Sequence, residues 1–187
     1  MQRIVLTGGP GSGKTVISQR LVTAYPDHFV LVPEAATQVY TALQTRWDQL
    51  DLEGRRDVQR RIYRVQSEQE DRFAREHPYK TLLLDRGTID GAAYWPDGAE
   101  EYWRDLGTNQ ARELSRYGMV VWMESCAALG IYDGDASNFC RFEDAAGAIA
   151  SGKKLLELWG GHPNLKHVGA FTNLDDKIAA VTELILG

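Results

Sequence analysis

Cysteine is scarce in this chain of 187 residues. There are two, Cys126 and Cys140, and neither sits in a C-x-x-C pair. That excludes a disulfide scaffold or a zinc site built on paired thiolates, and leaves two ordinary reduced thiols. Histidine does not take their place, because His28, His77, His162 and His167 are scattered and form no ligand set. Basic runs are missing as well. Acidic residues outnumber basic ones by 26 to 21, and Arg55-Arg56 and Arg60-Arg61 are diluted by Asp57, Glu68, Glu70 and Asp71. Without clustered positive charge the chain cannot neutralise a run of phosphates, so extended nucleic acid is not an expected partner. No apolar run approaches bilayer length, so no transmembrane segment is expected. The first apolar strand begins two residues from the start, which leaves no room for a signal peptide. A cytoplasmic location is the expectation.

What the chain does have is an ordinary globular composition, 43% hydrophobic and 25% charged. At this length it implies one domain over residues 1–187 with a full hydrophobic core. Against that background one stretch is unusual: "LTGGPGSGKT", residues 6–15. Glycine adds backbone freedom that folding must remove, so a cluster of glycines beside a first strand needs a steric reason. Arg3-Ile4-Val5-Leu6 reads as a short buried strand, and Val16, Ile17, Leu21 and Val22 follow at helical spacing. The residues Gly8, Gly9, Pro10, Gly11, Ser12, Gly13, Lys14 and Thr15 therefore turn a strand into a helix, and they fill the pattern G-x-x-x-x-G-K-[S/T]. Backbone N–H groups in such a turn wrap an anion, and a larger side chain would obstruct the approach. Lys14 supplies a point charge for the β- and γ-phosphates and the Thr15 hydroxyl a ligand for Mg²⁺, so ATP with Mg²⁺ is the expected cofactor pair.

Strands and helices alternate along the rest of the chain. His28–Val32 reads as a second strand stopped by Pro33, followed by a helix over about Ala35–Leu43 and a polar break near Asp48–Gly54. The longest helix is expected over about Arg55–Glu76, ended by Pro78. Thr81–Leu84 and Met119–Met123 are continuous apolar runs, the pattern of central parallel strands covered on both faces. Tyr94, Trp95, Tyr102 and Trp103 lie in a helical, aromatic region between them, read as core. A helix over about Glu143–Leu158, a strand at Leu165–Val168 and a helix over Leu174–Leu186 complete the series. The fold class is α/β: a parallel, doubly wound sheet with its ligand at the carboxyl ends of the strands.

Phosphoryl transfer also needs a metal holder, a group that orients the nucleophile, and positive charge for the transition state. Asp85 and Arg86 directly follow the central strand; Asp85 there can hold Mg²⁺ and Arg86 a phosphate or hydroxyl, or the two can form a helix cap with its surface partner. Glu34 follows the second strand, placed either to hold an attacking hydroxyl in line and take its proton or to serve as an acidic first-turn residue. Asp90 reads as a brace for the same loop. Arg141 is the only lysine or arginine between Arg116 and Lys153, within an irregular glycine-rich stretch. It is a candidate for a closing lid, or for a local pair with Glu143 or Asp144. Gln59 and Gln66 can face an acceptor from the long helix, or can be polar surface residues.

Taken in order, "GGPGSGKT", "VPEAA" with Glu34, "DRGTID" with Asp85 and Asp90, and "RFE" with Arg141 and Glu143 resemble the small P-loop proteins of AAA type. Their fold is that of nucleoside and nicotinamide riboside kinases. The resemblance implies a three-layer, five-stranded parallel sheet with the Asp85 strand beside the P-loop strand. It also implies a lid near residues 125–142 and adenine near Gly169 and Ala170. "DRG" stands where deoxynucleoside kinases have Glu-Arg-Ser, so the acceptor is left open. The N-K-x-D guanine-reading motif is absent, and so is the second helical domain of a hexameric motor. The expected activity is phosphoryl transfer from ATP to a hydroxyl of a small nucleoside- or riboside-like molecule, in a monomer or homodimer. The alternative is a nucleotide-binding switch that hydrolyses slowly and signals to a protein or membrane partner. Only the first of these requires a residue in the position of Glu34.

Overall fold

The computed structural model describes residues 2–132 and 144–187. Strand β1 (Arg3–Thr7) leads through the glycine loop into α1 (Lys14–Ala24), then β2 (Phe29–Val32), α2 (Ala35–Leu43) and the long α3 (Leu52–Glu76). Strand β3 (Thr81–Asp85) runs into a 3-10 turn at Asp90–Tyr94, α4 (Ala99–Leu106) and α5 (Gln110–Leu114). After β4 (Met119–Met123) come a short 3-10 turn at Cys126–Leu129, α6 (Ala145–Trp159), β5 (Leu165–Val168) and α7 (Leu174–Leu186). The five strands are all parallel in the order β2-β3-β1-β4-β5. This is the α/β fold with helices on both faces that the alternation of elements implies.

Side chains alternate across each strand and so divide the core in two. On one face Val5, Val32, Leu82, Leu84 and Val120 pack against Tyr102, Trp103 and Trp159. On the other Ile4, Leu6, Leu83, Val121 and Met123 meet Ile17, Leu21 and Val181 from α1 and α7. Leu82, Leu83 and Leu84 are all shielded because both faces of β3 are covered, which is why its sequence is an unbroken apolar run.

Several boundaries differ from the sequence expectation. Helix α3 starts at Leu52, three residues early, because the Asp51 side chain accepts a bond from Gly54 N and caps it there. Helix α6 spans Ala145–Trp159, capped by Asp144 through Gly147 N. The aromatic region is split by Pro96-Asp97-Gly98 into the 3-10 turn and α4, and α5 is an element the periodicity does not announce. Among the described residues no helix is long and apolar enough to cross a membrane.

The register sets the site. Leu6 lies opposite Asp85 on one side of β1 and opposite Val121 on the other. The carboxyl ends of β1, β3 and β4 therefore converge where the chain switches direction across the sheet, the place where open α/β sheets bind ligands.

Candidate active site

The loop after β1 is held close by its neighbours. A Cβ on Gly8 would sit 2.1 Å from Met123 O, and one on Gly9 only 2.3 Å from Ala148 O in α6. Both contacts are to backbone, so glycine is required there by approach distance. From above, Ser125 Oγ donates to Pro10 O (2.5 Å), Cys126 N donates to Gly11 O (3.2 Å), and the Tyr132 ring covers Gly11. Helix α1 begins without a capping side chain and without an acidic residue in its first turn. Its leading N–H groups thus keep the character of an anion site.

Lys14 is buried and donates to Gly8 O (2.8 Å), Gly9 O (3.0 Å) and Ser12 Oγ (2.9 Å). Burial, and then the nearby Arg86 charge, pull its pKa down to about 7. Thr15 Oγ1 donates to Asp85 Oδ2 at 2.6 Å. The other oxygen, Asp85 Oδ1, is buried and has no hydrogen-bond partner. Burial and the Glu34 charge raise the Asp85 pKa against the pull of Lys14, Thr15 and Arg86. An orphaned carboxylate oxygen beside a threonine hydroxyl fits Mg²⁺, which takes one or two protein oxygens and fills its shell with phosphate and water. Among the described residues no group of three or more His, Cys, Asp or Glu side chains could hold a metal ion.

A second cluster centres on Arg86, a non-glycine residue in the left-handed region at φ 75°. Such a conformation costs roughly 1–3 kcal/mol and persists only where surrounding contacts impose it. Here Arg86 N donates to Leu6 O (3.1 Å) and Arg86 O accepts from Gln66 Nε2 (3.3 Å). The guanidinium donates to Glu34 Oε1 (2.6 Å) and Asp90 Oδ2 (3.2 Å). Glu34 Oε2 accepts from Thr37 Oγ1 at 2.6 Å. Burial pushes the Glu34 pKa up, but Arg86, Thr37 and Lys14 outweigh it and hold the carboxyl below its ordinary value. Asp90 accepts from Thr7 Oγ1 (3.0 and 3.1 Å) and Trp159 Nε1 (2.7 Å) as well. Burial still raises its pKa.

These groups open into one cavity. Lys14, Thr15, Glu34, Arg86 and Asp90 line its floor, and Tyr40, Trp47, Tyr63 and Tyr94 its walls. Gln59 and Gln66 line it too, at 3% and 2% exposure. They are buried wall residues, which corrects the reading of them as polar surface glutamines. Of the aromatic region, Trp95, Tyr102 and Trp103 are core as expected, with Tyr102 also lining the cavity, while Tyr94 lines the cavity and is outside that core.

The structure thus brings Lys14, Thr15, Glu34, Asp85 and Arg86 together. Gly169 and Ala170 sit apart at the end of β5, where Ala170 N donates to Glu124 Oε2 (3.1 Å) and a side chain on Gly169 would meet open space. Arg141, Glu143 and residues 133–142 of the expected lid lie outside the described residues. Sequence reasoning underrated Asp90 and missed its partners Thr7 and Trp159. No local pattern marks them, because they lie 83 and 69 residues from Asp90.

Fold and site together define a P-loop protein of the kinase-like kind. A family model described as an AAA domain matches residues 3–176, and the chain belongs to that family. No curated protein matches the sequence. Among solved structures the chain is similar in fold to thymidylate kinase from Candida albicans, with a TM-score of 0.67 at 14% identity, over 99% of this chain and 91% of that one.

Proposed function

We propose that this protein is an ATP- and Mg²⁺-dependent kinase that phosphorylates a hydroxyl of a small nucleoside- or riboside-like molecule. One observation carries the reading: an aromatic-walled cavity opens directly onto Lys14 and Thr15, with the Glu34 carboxylate on its floor. A switch that only binds and hydrolyses nucleotide needs no such second compartment. The likeness to a nucleotide kinase supports the same reading at the level of fold.

Backbone N–H groups of Gly11–Thr15 and the Lys14 ammonium hold the phosphates. Thr15 Oγ1 and Asp85 would hold Mg²⁺, which would neutralise charge on the phosphate oxygens. Glu34 holds the acceptor hydroxyl in line. The acceptor oxygen bonds to the γ-phosphorus as the bond to the β,γ-bridging oxygen breaks, ADP leaves, and the hydroxyl proton passes through Glu34 to solvent. Arg86 fixes Glu34 and adds positive charge beside the transferring group. We assign adenine to Gly169 and Ala170, a transition-state cation to Arg141, one domain to residues 1–187 and the lid to residues 125–142.

The test is a thermal-shift and ADP-release screen of nucleosides, ribosides and sugars with Mg²⁺ and ATP or its non-hydrolysable analogue. Acceptor-dependent stabilisation and ADP release, both lost in Lys14→Ala, are expected. Stabilisation by nucleotide alone, with ADP release indifferent to every hydroxyl compound, would overturn the kinase reading.

A further inference from the structure

Two carboxylates lie deep in the protein and away from the substrate. Glu70 is 0% exposed and Glu113 1%, and neither belongs to the cavity lining among the described residues. Each Glu70 oxygen serves two donors. Oε1 accepts from Gln66 Nε2 (3.0 Å) and Tyr117 Oη (2.9 Å), and Oε2 from Arg3 Nη1 (3.2 Å) and Arg116 Nη2 (2.8 Å). Glu113 accepts from Thr88 Oγ1 (2.8 Å) and Tyr63 Oη (2.9 Å), with Arg116 Nε 3.7 Å from its Oε2. Replacing a buried ion pair by well-packed apolar residues is often neutral or stabilising, so stability alone gives little reason for such a cluster.

What the cluster grips is the segment that follows β3. Gln66 Nε2 also donates to Arg86 O (3.3 Å), and Tyr117 Oη accepts from Thr88 N (2.8 Å). Glu113 holds the Thr88 hydroxyl, and Tyr102 Oη donates to Thr88 O (2.9 Å). Between them Gly87 is pressed close: a Cβ there would lie 3.0 Å from the Trp159 ring and 3.2 Å from Tyr117 Cζ.

Arg86 leads this segment. Its left-handed backbone is a conformation that surrounding contacts must sustain, and its Nε donates to Glu34 Oε1 at 2.6 Å. Glu70 reaches the segment by two routes, each with one side chain between: Gln66 to the Arg86 carbonyl, and Tyr117 to the Thr88 amide. Breaking either route leaves a backbone group without its partner, and the segment relaxes to find another. The guanidinium moves with it. A misplacement of about 1 Å near reacting groups costs on the order of 10²-fold in rate.

Building on the kinase reading, we propose that Glu70 is a positioning residue for phosphoryl transfer. It does not touch substrate; it holds the Arg86–Thr88 segment through Gln66 and Tyr117, and so keeps Arg86 on Glu34.

The experiment uses Glu70→Gln and Tyr117→Phe; the second removes one hydroxyl and leaves every ion pair in place, so it decides alone if Glu70→Gln does not fold. The first readout needs no acceptor. Nitrogen-15 NMR follows the Arg86 Nε–H, assigned by its loss in Arg86→Lys. Its bond to Glu34 protects it from solvent exchange, which should be about tenfold or more faster in the variants. The second readout is ADP release with ATP, Mg²⁺ and adenosine, uridine or ribose as acceptor. The variants should lose roughly 10–100-fold in kcat, with affinity for a non-hydrolysable ATP analogue kept. In an Arg86→Lys background the same substitutions should cost less than about threefold, because effects that run through one partner are not additive. A merely structural role would cost the same factor in both backgrounds. That additivity, or wild-type exchange and kcat in Tyr117→Phe, overturns the inference and leaves the kinase reading standing. ADP release indifferent to every acceptor overturns both.

Discussion

Replacing Glu34 separates two duties of one carboxylate: holding Arg86, which the structure shows, and orienting the acceptor, which the proposed function assigns to it. Glu34 and Arg86 side chains are 20% and 15% exposed, so their 2.6 Å bond lies largely out of water. Glu34→Gln keeps the volume and an acceptor oxygen but removes the charge. A hydrogen bond to a charged group contributes about 1.5–3 kcal/mol against about 0.5–1.5 for a neutral one, and an amide is also easier to bury. The net loss expected is about 1 kcal/mol, or roughly 2–4 °C in Tm at this size. Glu34→Ala leaves Arg86 with Asp90 alone. Breaking a buried pair costs roughly 3–5 kcal/mol, and the remaining partner and partial exposure bring the expectation to about 2–3. On activity, a carboxyl held below its ordinary pKa is a weak base, and phosphoryl transfer with a loose transition state asks little of one. Glu34→Gln should therefore fall at the low end of general-base effects, about 10²-fold in kcat, with ATP-analogue affinity kept. Glu34 itself should add no acid limb to the wild-type rate above ordinary carboxylate values, because it remains ionised there. Melting curves, calorimetric titration and steady-state ADP release test these together. A loss of ATP affinity as large as that of Asp85→Asn, or equal melting points for the Gln and Ala variants, would refute the reasoning.

Lys14 must be fully protonated to hold phosphate, yet its pKa is about 7, so nucleotide binding takes up a proton and affinity should fall by up to about tenfold per pH unit above 7. Calorimetry in buffers of different ionisation heat reads the uptake directly, and a flat profile from pH 7 to 9 would count against it. Gly9→Ala should destabilise by roughly 1–3 kcal/mol and weaken nucleotide binding, because its Cβ meets Ala148 O at 2.3 Å and Gly152 N at 3.1 Å. Gly152→Ala, whose nearest neighbour is 3.6 Å away, should be tolerated or stabilising in its helix, and equal melting points for the two would refute the assignment.

The strands were legible because burial on both faces writes itself as an unbroken apolar run, as at Leu82–Leu84. The phosphate loop was legible because its glycines are forced by backbone approach, which no other residue type satisfies. Helix starts were harder, since Asp51 caps α3 through a single hydrogen bond inside a polar stretch with no apolar period. The acceptor side of the site was the least legible. Glu34 and Arg86 stand out singly, but their pairing spans 52 residues and depends on β2 and β3 being neighbours. Whether Gln59 is solvated or buried is decided by α2, the 3-10 turn and α4 closing over α3, and nothing within α3 itself reports that.

The two carboxylates at the phosphate end show why the site divides its work as it does. The Glu34 charge acts on Asp85, and the two pKa values move in opposite directions. Glu34 has its cation built in, through Arg86, and so stays charged. Asp85 has a hydroxyl on one oxygen and nothing on the other, so burial and the Glu34 charge make its ionised form costly until a cation arrives. A carboxylate that is unfavourable alone and relieved by a divalent ion is a selective metal holder. One that is already compensated is free to orient a neutral hydroxyl. Arg86, in the left-handed region, pairs its guanidinium with Glu34 and Asp90. Had Arg86 paired with the adjacent Asp85 instead, the carboxylate proposed to hold the metal would have been neutralised and Glu34 left without its counter-ion.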